Sequence, residues 1–285
     1  MSHTLALHAY VTLRGVRLHY VQAGETGAPL VLLHGGGLDS ASLSWSQTWP
    51  ALARSRRIFV PDLPGYGDSD RPFEFEHSIE SYGRLLMDFL DAIGIAQAGF
   101  CGVSMGGALA LHIGLNYPEQ VLCLIPVASY GLQRRAPAHV MSYFFVRMPF
   151  LSRLIYVLLR RNRTWVRASL RPIFADPSRI TNDLVNQAFA ELSKPRVGEA
   201  FMDFQRREVL LGRLRTNFLT RLAQLRAPTL FVHGDQDALV PVAWAREAAR
   251  RTPHALLREM KGCGHWPQRE RSEEFNTIVA DFLNR

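Results

Sequence analysis

The chain has 285 residues, 47% of them hydrophobic and 20% charged, which is ordinary globular composition and excludes a disordered, collagen-like or fibrous protein. That length suits one large α/β domain carrying an insertion. The formal net charge of +8 is unevenly placed: no Asp or Glu occurs between Gln120 and Ala175, and the nine arginines from Arg134 to Arg171 exceed the whole surplus.

Met1–Thr4 lack a basic head leading into an apolar stretch, so no secretory signal is expected there. Period-two alternation predicts a hairpin of Tyr10–Arg14 and Val16–Gln22 about Gly15. Leu30–Leu33 is a short apolar run that ends in His34-Gly35-Gly36-Gly37, a buried strand feeding a glycine loop. Ile58–Val60 is a second such run, followed by the turn-rich stretch Pro61–Gly67. Ile79, Tyr82, Leu86, Leu90 and Ile93 share one face of a helix over Ser78–Ile93, with Gly94 as its stop. Strand Ala98–Cys101, helix Ser104–Asn116 and strand Val121–Val127 follow, and alternation of this kind implies a parallel sheet covered on both faces.

From Gln133 to Leu219 the strand signals vanish, leaving helical, Arg-rich sequence cut by five prolines. Alternation resumes with strand Thr229–His233, helix Val242–Arg251, strand Leu256–Met260 and a last helix Ser272–Leu283, striped by Phe275, Ile278, Val279 and Phe282. The expected architecture is therefore an α/β core of residues 1–132 and 220–285 with a helical insertion at 133–219. The most apolar run, Val140–Leu159, is interrupted by Arg147 and Arg153, so no membrane span is expected. Cys101, Cys123 and Cys263 are odd in number and unrelated in spacing, which fits reduced thiols in a cytoplasmic protein better than disulfides or a zinc site.

The chemistry gathers around Gly102-Val103-Ser104-Met105-Gly106, a G-x-S-x-G sequence set between a strand and a helix. A tight strand-to-helix turn would lift the serine Oγ clear of the sheet, the flanking glycines letting backbone approach without Cβ clashes. Such a serine needs a base, and the base needs an orienting acid. His265 lies in Gly262-Cys263-Gly264-His265-Trp266, between a late strand and the last helix, while Asp235 and Asp237 follow the strand Thr229–His233. His34-Gly35-Gly36-Gly37 supplies backbone N–H groups that can converge on a developing oxyanion. The loop does not read as a phosphate loop, because the lysine and Ser/Thr of a Walker motif and the G-x-G-x-x-G spacing are both missing.

Together these residues resemble the α/β-hydrolase fold family over nearly the whole chain: a mostly parallel eight-stranded sheet flanked by helices, with an inserted helical cap. Asp62–Ser69 is similar to the family's loop after strand four, and Leu230–Pro241 to its acid loop, G-x-x-D-x-x-V-P, in which Asp237 is the acid and Asp235 the reserve. The other place where the family carries its acid, after strand six, reads Val127-Ala128-Ser129-Tyr130 and has no carboxylate. The resemblance implies that Ser104 attacks, His265 shuttles the proton and Asp237 orients the imidazole. It implies that the N–H groups of Gly36 and Met105 hold the oxyanion, and that Gly35 and Trp266 border the substrate. No cofactor or metal is implied. A serine in this place argues against haloalkane dehalogenase and epoxide hydrolase relatives, which use aspartate.

The His-Gly-Gly-Gly loop and Gly264-His265-Trp266 resemble the meta-cleavage-product hydrolases, which cut carbon–carbon bonds in vinylogous diketo acids. Two positions depart from that subfamily: Val103 stands where it has Asn, and Ala188 where it has a cap arginine. The expectation is therefore first a hydrolase of carboxylic esters with small to medium apolar acyl groups, acting through an acyl-enzyme at Ser104. Carbon–carbon cleavage comes next, then lactonase, thioesterase or perhydrolase chemistry. The alternative outside enzymes is a hydrolase-fold ligand receptor with an idle triad. The expected partner is a small acyl substrate and not nucleic acid. The basic, aromatic-rich insertion adds a candidate contact with an anionic membrane or an acidic carrier, beside the plainer reading of a solvated arginine face.

Overall fold

A computed structural model describes residues 6–285. Eight strands make one sheet: β1 (Leu7–Leu13), β2 (Val16–Ala23), β3 (Pro29–Leu33), β4 (Arg57–Pro61), β5 (Ala98–Val103), β6 (Val121–Val127), β7 (Leu230–Gly234) and β8 (Leu256–Met260). Their order across the sheet is β1-β2-β4-β3-β5-β6-β7-β8. The β1–β2 and β2–β4 pairs are antiparallel, and every pair from β4 through β8 is parallel. This is the mostly parallel eight-stranded sheet that the alternation predicts.

The helices are α1 (Ala41–Trp45), α2 (Trp49–Leu52), α3 (Ile79–Ala92), α4 (Met105–Asn116), α5 (His139–Phe145), α6 (Pro149–Leu159), α7 (Arg163–Leu170), α8 (Asn182–Ser193), α9 (Glu199–Glu208), α10 (Val242–Arg251), α11 (Pro267–Glu270) and α12 (Ser272–Leu283). Five of them, α5 to α9, lie between β6 and β7. In that stretch the described residues form no strand beyond a single Val209–Leu214 bridge.

The continuous apolar runs of the inner strands follow from burial on both faces. In β3, Val31 and Leu33 join a core with α3 and α4 (Phe89, Leu109), whereas Leu30 and Leu32 join a second core with α1 and α12 (Trp45, Phe275). The second core also takes Val166 and Leu170 of α7 and Leu184 of α8, so the inserted helices are packed into the domain. Helix α3 starts where Ser78 accepts a hydrogen bond from the Ser81 N–H, and Gly94 follows its end at φ +71°.

Three differences from the sequence expectation have simple causes. β1 begins at Leu7, not Tyr10, because it pairs with β2 as far as Leu7–Gln22, and its exposed residues give no hydrophobic period. α1, α2 and α11 have four or five residues each, too few to show a helical period. α4 begins at Met105, leaving Ser104 in the turn before it.

Phe100 is fully buried in the centre of β5. Phe100→Ala should lower the unfolding free energy by about 3–5 kcal/mol, read as a fall in the denaturant midpoint at unchanged m-value.

Candidate active site

Parallel strands deliver the loops at their C-terminal ends to one edge of the sheet. The glycine loop follows β3, Ser104 follows β5, Asp237 follows β7 and His265 follows β8, so residues far apart in the chain reach one rim.

Ser104 has φ +54° and ψ −113°, a backbone conformation that costs a side-chain-bearing residue about 1–3 kcal/mol. The turn is held on both sides: the Ser104 N–H donates to Val127 O (2.9 Å), and the Tyr130 N–H donates to Ser104 O (3.0 Å). The glycines around it are required by contact. A Cβ on Gly102 would lie 2.1 Å from Gly106 O, and one on Gly106 would lie 2.3 Å from Leu33 O.

His265 is buried, and its Nδ1 lies 2.7 Å from Asp237 Oδ2. Asp237 Oδ1 accepts the N–H groups of Leu239 and Val240 at 2.8 Å each, and Oδ2 also lies 3.2 Å from His233 Nε2. Burial alone would raise the Asp237 carboxyl, but the hydrogen bonds from His233 and His265 and from backbone outweigh it, holding the group well below the usual carboxylate range. Asp235 serves the fold of the neighbouring loop instead. Its Oδ1 accepts the Gly262 N–H (2.7 Å) and shapes the turn that leads to His265. No hydrogen bond joins Ser104 Oγ to the His265 ring among the described residues; bonds of this kind commonly tighten only when substrate is bound.

In the glycine loop the Gly35 N–H is already committed to Asp39 Oδ2 (2.7 Å), although a Cβ at Gly35 would come within 3.5 Å of Ser104 Cβ. Gly35 therefore borders the nucleophile without a free N–H. The N–H groups of Gly36 and Met105 have no protein acceptor among the described residues. Asp39, buried and also bonded to the Ser40 N–H and Ser44 hydroxyl, fixes the loop. His34 donates from Nδ1 to Gly35 O and accepts the Leu63 N–H at Nε2, joining the glycine loop to the loop after β4.

Two cavities flank this rim. One, of about 390 Å³, is lined by Ser104 and Met105 together with Tyr130, Phe204 and Leu239. The other, of about 280 Å³, is lined by Gly36, Gly37, Trp266, Tyr156 and Ile173. They share Phe145, Phe201 and Gln205, all from the inserted segment, and no arginine or lysine lines either. The first holds two buried acceptors without partners among the described residues, Gln133 Oε1 and Glu208 Oε1. Burial pushes the Glu208 carboxyl up despite hydrogen bonds from Thr216 and Tyr130.

Sequence reasoning missed the residues that hold the rim together. Glu270 accepts the Gly264 and Asp176 N–H groups (2.7 Å each), tying the His265 loop to the insertion. The His265 N–H donates to Ile173 O (2.7 Å), and Phe201 covers Gly36, where an added Cβ would meet its ring at 2.3 Å. Arg269, also buried, bonds Ser46 and Gln187. These are contacts between distant segments and carry no local pattern.

Fold and rim define a hydrolase, and residues 28–272 match the family described as alpha/beta hydrolase fold, to which the chain belongs. It is 30% identical over 277 residues to a 2-hydroxy-6-oxononadienedioate/2-hydroxy-6-oxononatrienedioate hydrolase of Comamonas testosteroni, covering 95% of this chain and 92% of that protein. It is 29% identical over 288 residues to a 2-hydroxymuconate semialdehyde hydrolase of Pseudomonas sp. (strain CF600), covering 94% and 91%. Among solved structures, the meta-cleavage product hydrolase CumD of Pseudomonas fluorescens IP01 superposes with a TM-score of 0.81 at 25% identity, covering 97% of each chain. These relatives back the carbon–carbon alternative over the ester reading that the departures at Val103 and Ala188 put first.

Asp237→Asn should lower kcat/KM by about 10⁴-fold with the fold retained, because the imidazole loses its orienting charge. The lowered carboxyl contributes stability fully above about pH 4 and loses it as pH falls toward its folded value, so wild type should lose stability in acid more steeply than the variant. Gly36→Ala should lower kcat by displacing the Phe201 ring, and Phe201→Ala in the same chain should restore part of it; a single-turnover assay of the three variants reads this.

Proposed function

We propose that the protein is a serine hydrolase that cleaves a carbon–carbon bond next to a ketone, in a 2-hydroxy-6-oxo-dienoate of the class for which its relatives are named. The observation that carries this reading is the likeness to those relatives along almost the whole chain. The rim supplies the chemical parts. His265 takes the Ser104 proton as Oγ adds to the ketone carbon, and Asp237 steadies the imidazolium that forms. The N–H groups of Gly36 and Met105 receive the oxyanion. Cleavage proceeds from the 2-oxo tautomer, formed as the 2-hydroxyl gives up its proton and the carbon beside the 6-ketone takes one. When the carbon–carbon bond breaks, its electron pair flows through the C3–C4 double bond to the 2-oxo oxygen, which takes the proton from His265 and leaves as a 2-hydroxydienoate. Water activated by His265 then hydrolyses the acyl group from Ser104. Two cavities meeting at the rim suit a substrate with an arm on each side of the bond that is cut.

An ester hydrolase is the second reading, favoured by one specific observation: neither cavity carries a cation. Ala188 is fully buried at the position where the resemblance expects an arginine, and Val103 is a buried strand residue before the nucleophile. A dienoate carboxylate without a cation would bear a desolvation penalty of several kcal/mol, on the order of that for any unpaired buried ion. A neutral ester would bear none.

The two readings separate in one experiment. Loss of the dienoate chromophore of 2-hydroxy-6-oxo-6-phenylhexa-2,4-dienoate is compared with release of p-nitrophenol from acyl esters of increasing length. The carbon–carbon reading expects the higher kcat/KM on the dienoate; efficient ester turnover with a silent dienoate would replace it with the second. Ser104→Ala should reduce either activity by at least about 10⁴-fold, and equal rates in wild type and variant would end the serine mechanism.

A further inference from the structure

The insertion has an outer surface that its part in the cavities does not account for. Six large apolar residues that line neither cavity are exposed here, Val140, Phe144, Met148, Phe150, Leu154 and Val157, more than a soluble monomer usually gathers in one place. In α6 the inward stripe Ser152, Ile155, Tyr156 and Leu159 lines the second cavity, while Phe150, Leu154 and Val157 form an opposite stripe open to solvent. In α5, Phe145 lines both cavities and Val140 and Phe144 face out. The two helices meet at 82°, and no single helix is long and apolar enough to cross a membrane among the described residues.

Charge on this surface is equally one-sided. Of the nine arginines from Arg134 to Arg171, only Arg153 comes within 4.0 Å of a carboxylate among the described residues, at 3.9 Å from Glu199. Eleven arginines elsewhere in the chain have an acidic partner. Members of the 134–171 run bond backbone carbonyls or stack on rings instead, as Arg147 does on Tyr143 at 3.6 Å. Their positive charge is left for a partner outside the chain.

We propose that the α5–α6 elbow docks on an anionic lipid bilayer, with Phe144, Phe150 and Leu154 entering the headgroup boundary and the surrounding arginines meeting lipid phosphates. Apolar stripe and unpaired cations occur together, the pairing that an anionic interface takes up. A second copy of the chain would bring two such basic surfaces face to face, and an acidic carrier would leave the apolar stripe exposed. Because α5 lines both cavities and α6 lines the second, docking would place the site against the lipid phase and favour apolar substrates dissolved in it. The surface does not depend on which bond is cut.

The test is cosedimentation of the full chain with vesicles of phosphatidylcholine alone and of phosphatidylcholine mixed with phosphatidylglycerol. Ser104→Ala serves as a control that binds without turnover. Binding is expected on the mixed vesicles only, weakening as salt is added. Arg161→Glu should lower the affinity at least about fivefold. Phe150→Glu with Leu154→Glu should abolish binding while the circular dichroism spectrum stays unchanged. Failure to sediment with mixed vesicles at low salt would overturn the proposal, and so would equal binding to both vesicle types. A concentration-dependent dimer that these two substitutions disperse, with no vesicle binding, would assign the surface to a second copy instead.

Discussion

The site depends on how closely α4 is seated against the sheet. A side chain at Gly106 would strike the backbone of β3, and one at Gly107 would meet Ser129 at 2.8 Å. With no side chains there, the helix abuts the strand ends and Ser104 is left in a conformation with positive φ that no helix or strand would give it. Two backbone hydrogen bonds, to Val127 and from Tyr130, hold that turn from the β6 side. The strain is sustained by contacts that the whole domain supports, and the Met105 N–H is left free at the start of α4.

Much of this was legible in sequence, for physical reasons. Strands buried on both faces must be apolar throughout, so β3, β5 and β7 announced themselves as short runs such as Leu30–Leu33. The glycines at 102 and 106 were legible because only glycine allows the contact. Asp237 was separable from Asp235 through its place before Val240-Pro241, and the structure puts Asp237, not Asp235, against His265. Asp39, Glu270, Phe201 and Ile173 were invisible because their roles exist only once distant segments meet. Ile173 acts through its carbonyl, which any residue there would supply.

Charge shows the same limit. The run of arginines was plain in the composition, yet sequence alone left it undecided between a solvated face and a partner-binding one. The structure separates interior from exterior: the cavities beside Ser104 are mainly apolar with no cation, and the exposed outer stripe lies in a run of nine arginines of which only Arg153 comes near a carboxylate. A basic chain thus encloses an uncharged to slightly acidic chamber, with Glu208 and Asp39 as its acidic lining residues.

The inserted helices are also structurally inseparable from the residues they cover. Ile173 holds the His265 backbone, Glu270 clasps both Asp176 and Gly264, and Phe201 rests on Gly36. A segment joined in this way is a poor cassette. Exchanging it for the corresponding segment of a relative would alter the seating of the histidine loop as well as the shape of the chamber. Diversification of specificity within such a scaffold must therefore proceed by substitution along the cavity-facing stripes of α5, α6 and α9, while the seams at residues 173–176 and 201 stay matched to the core.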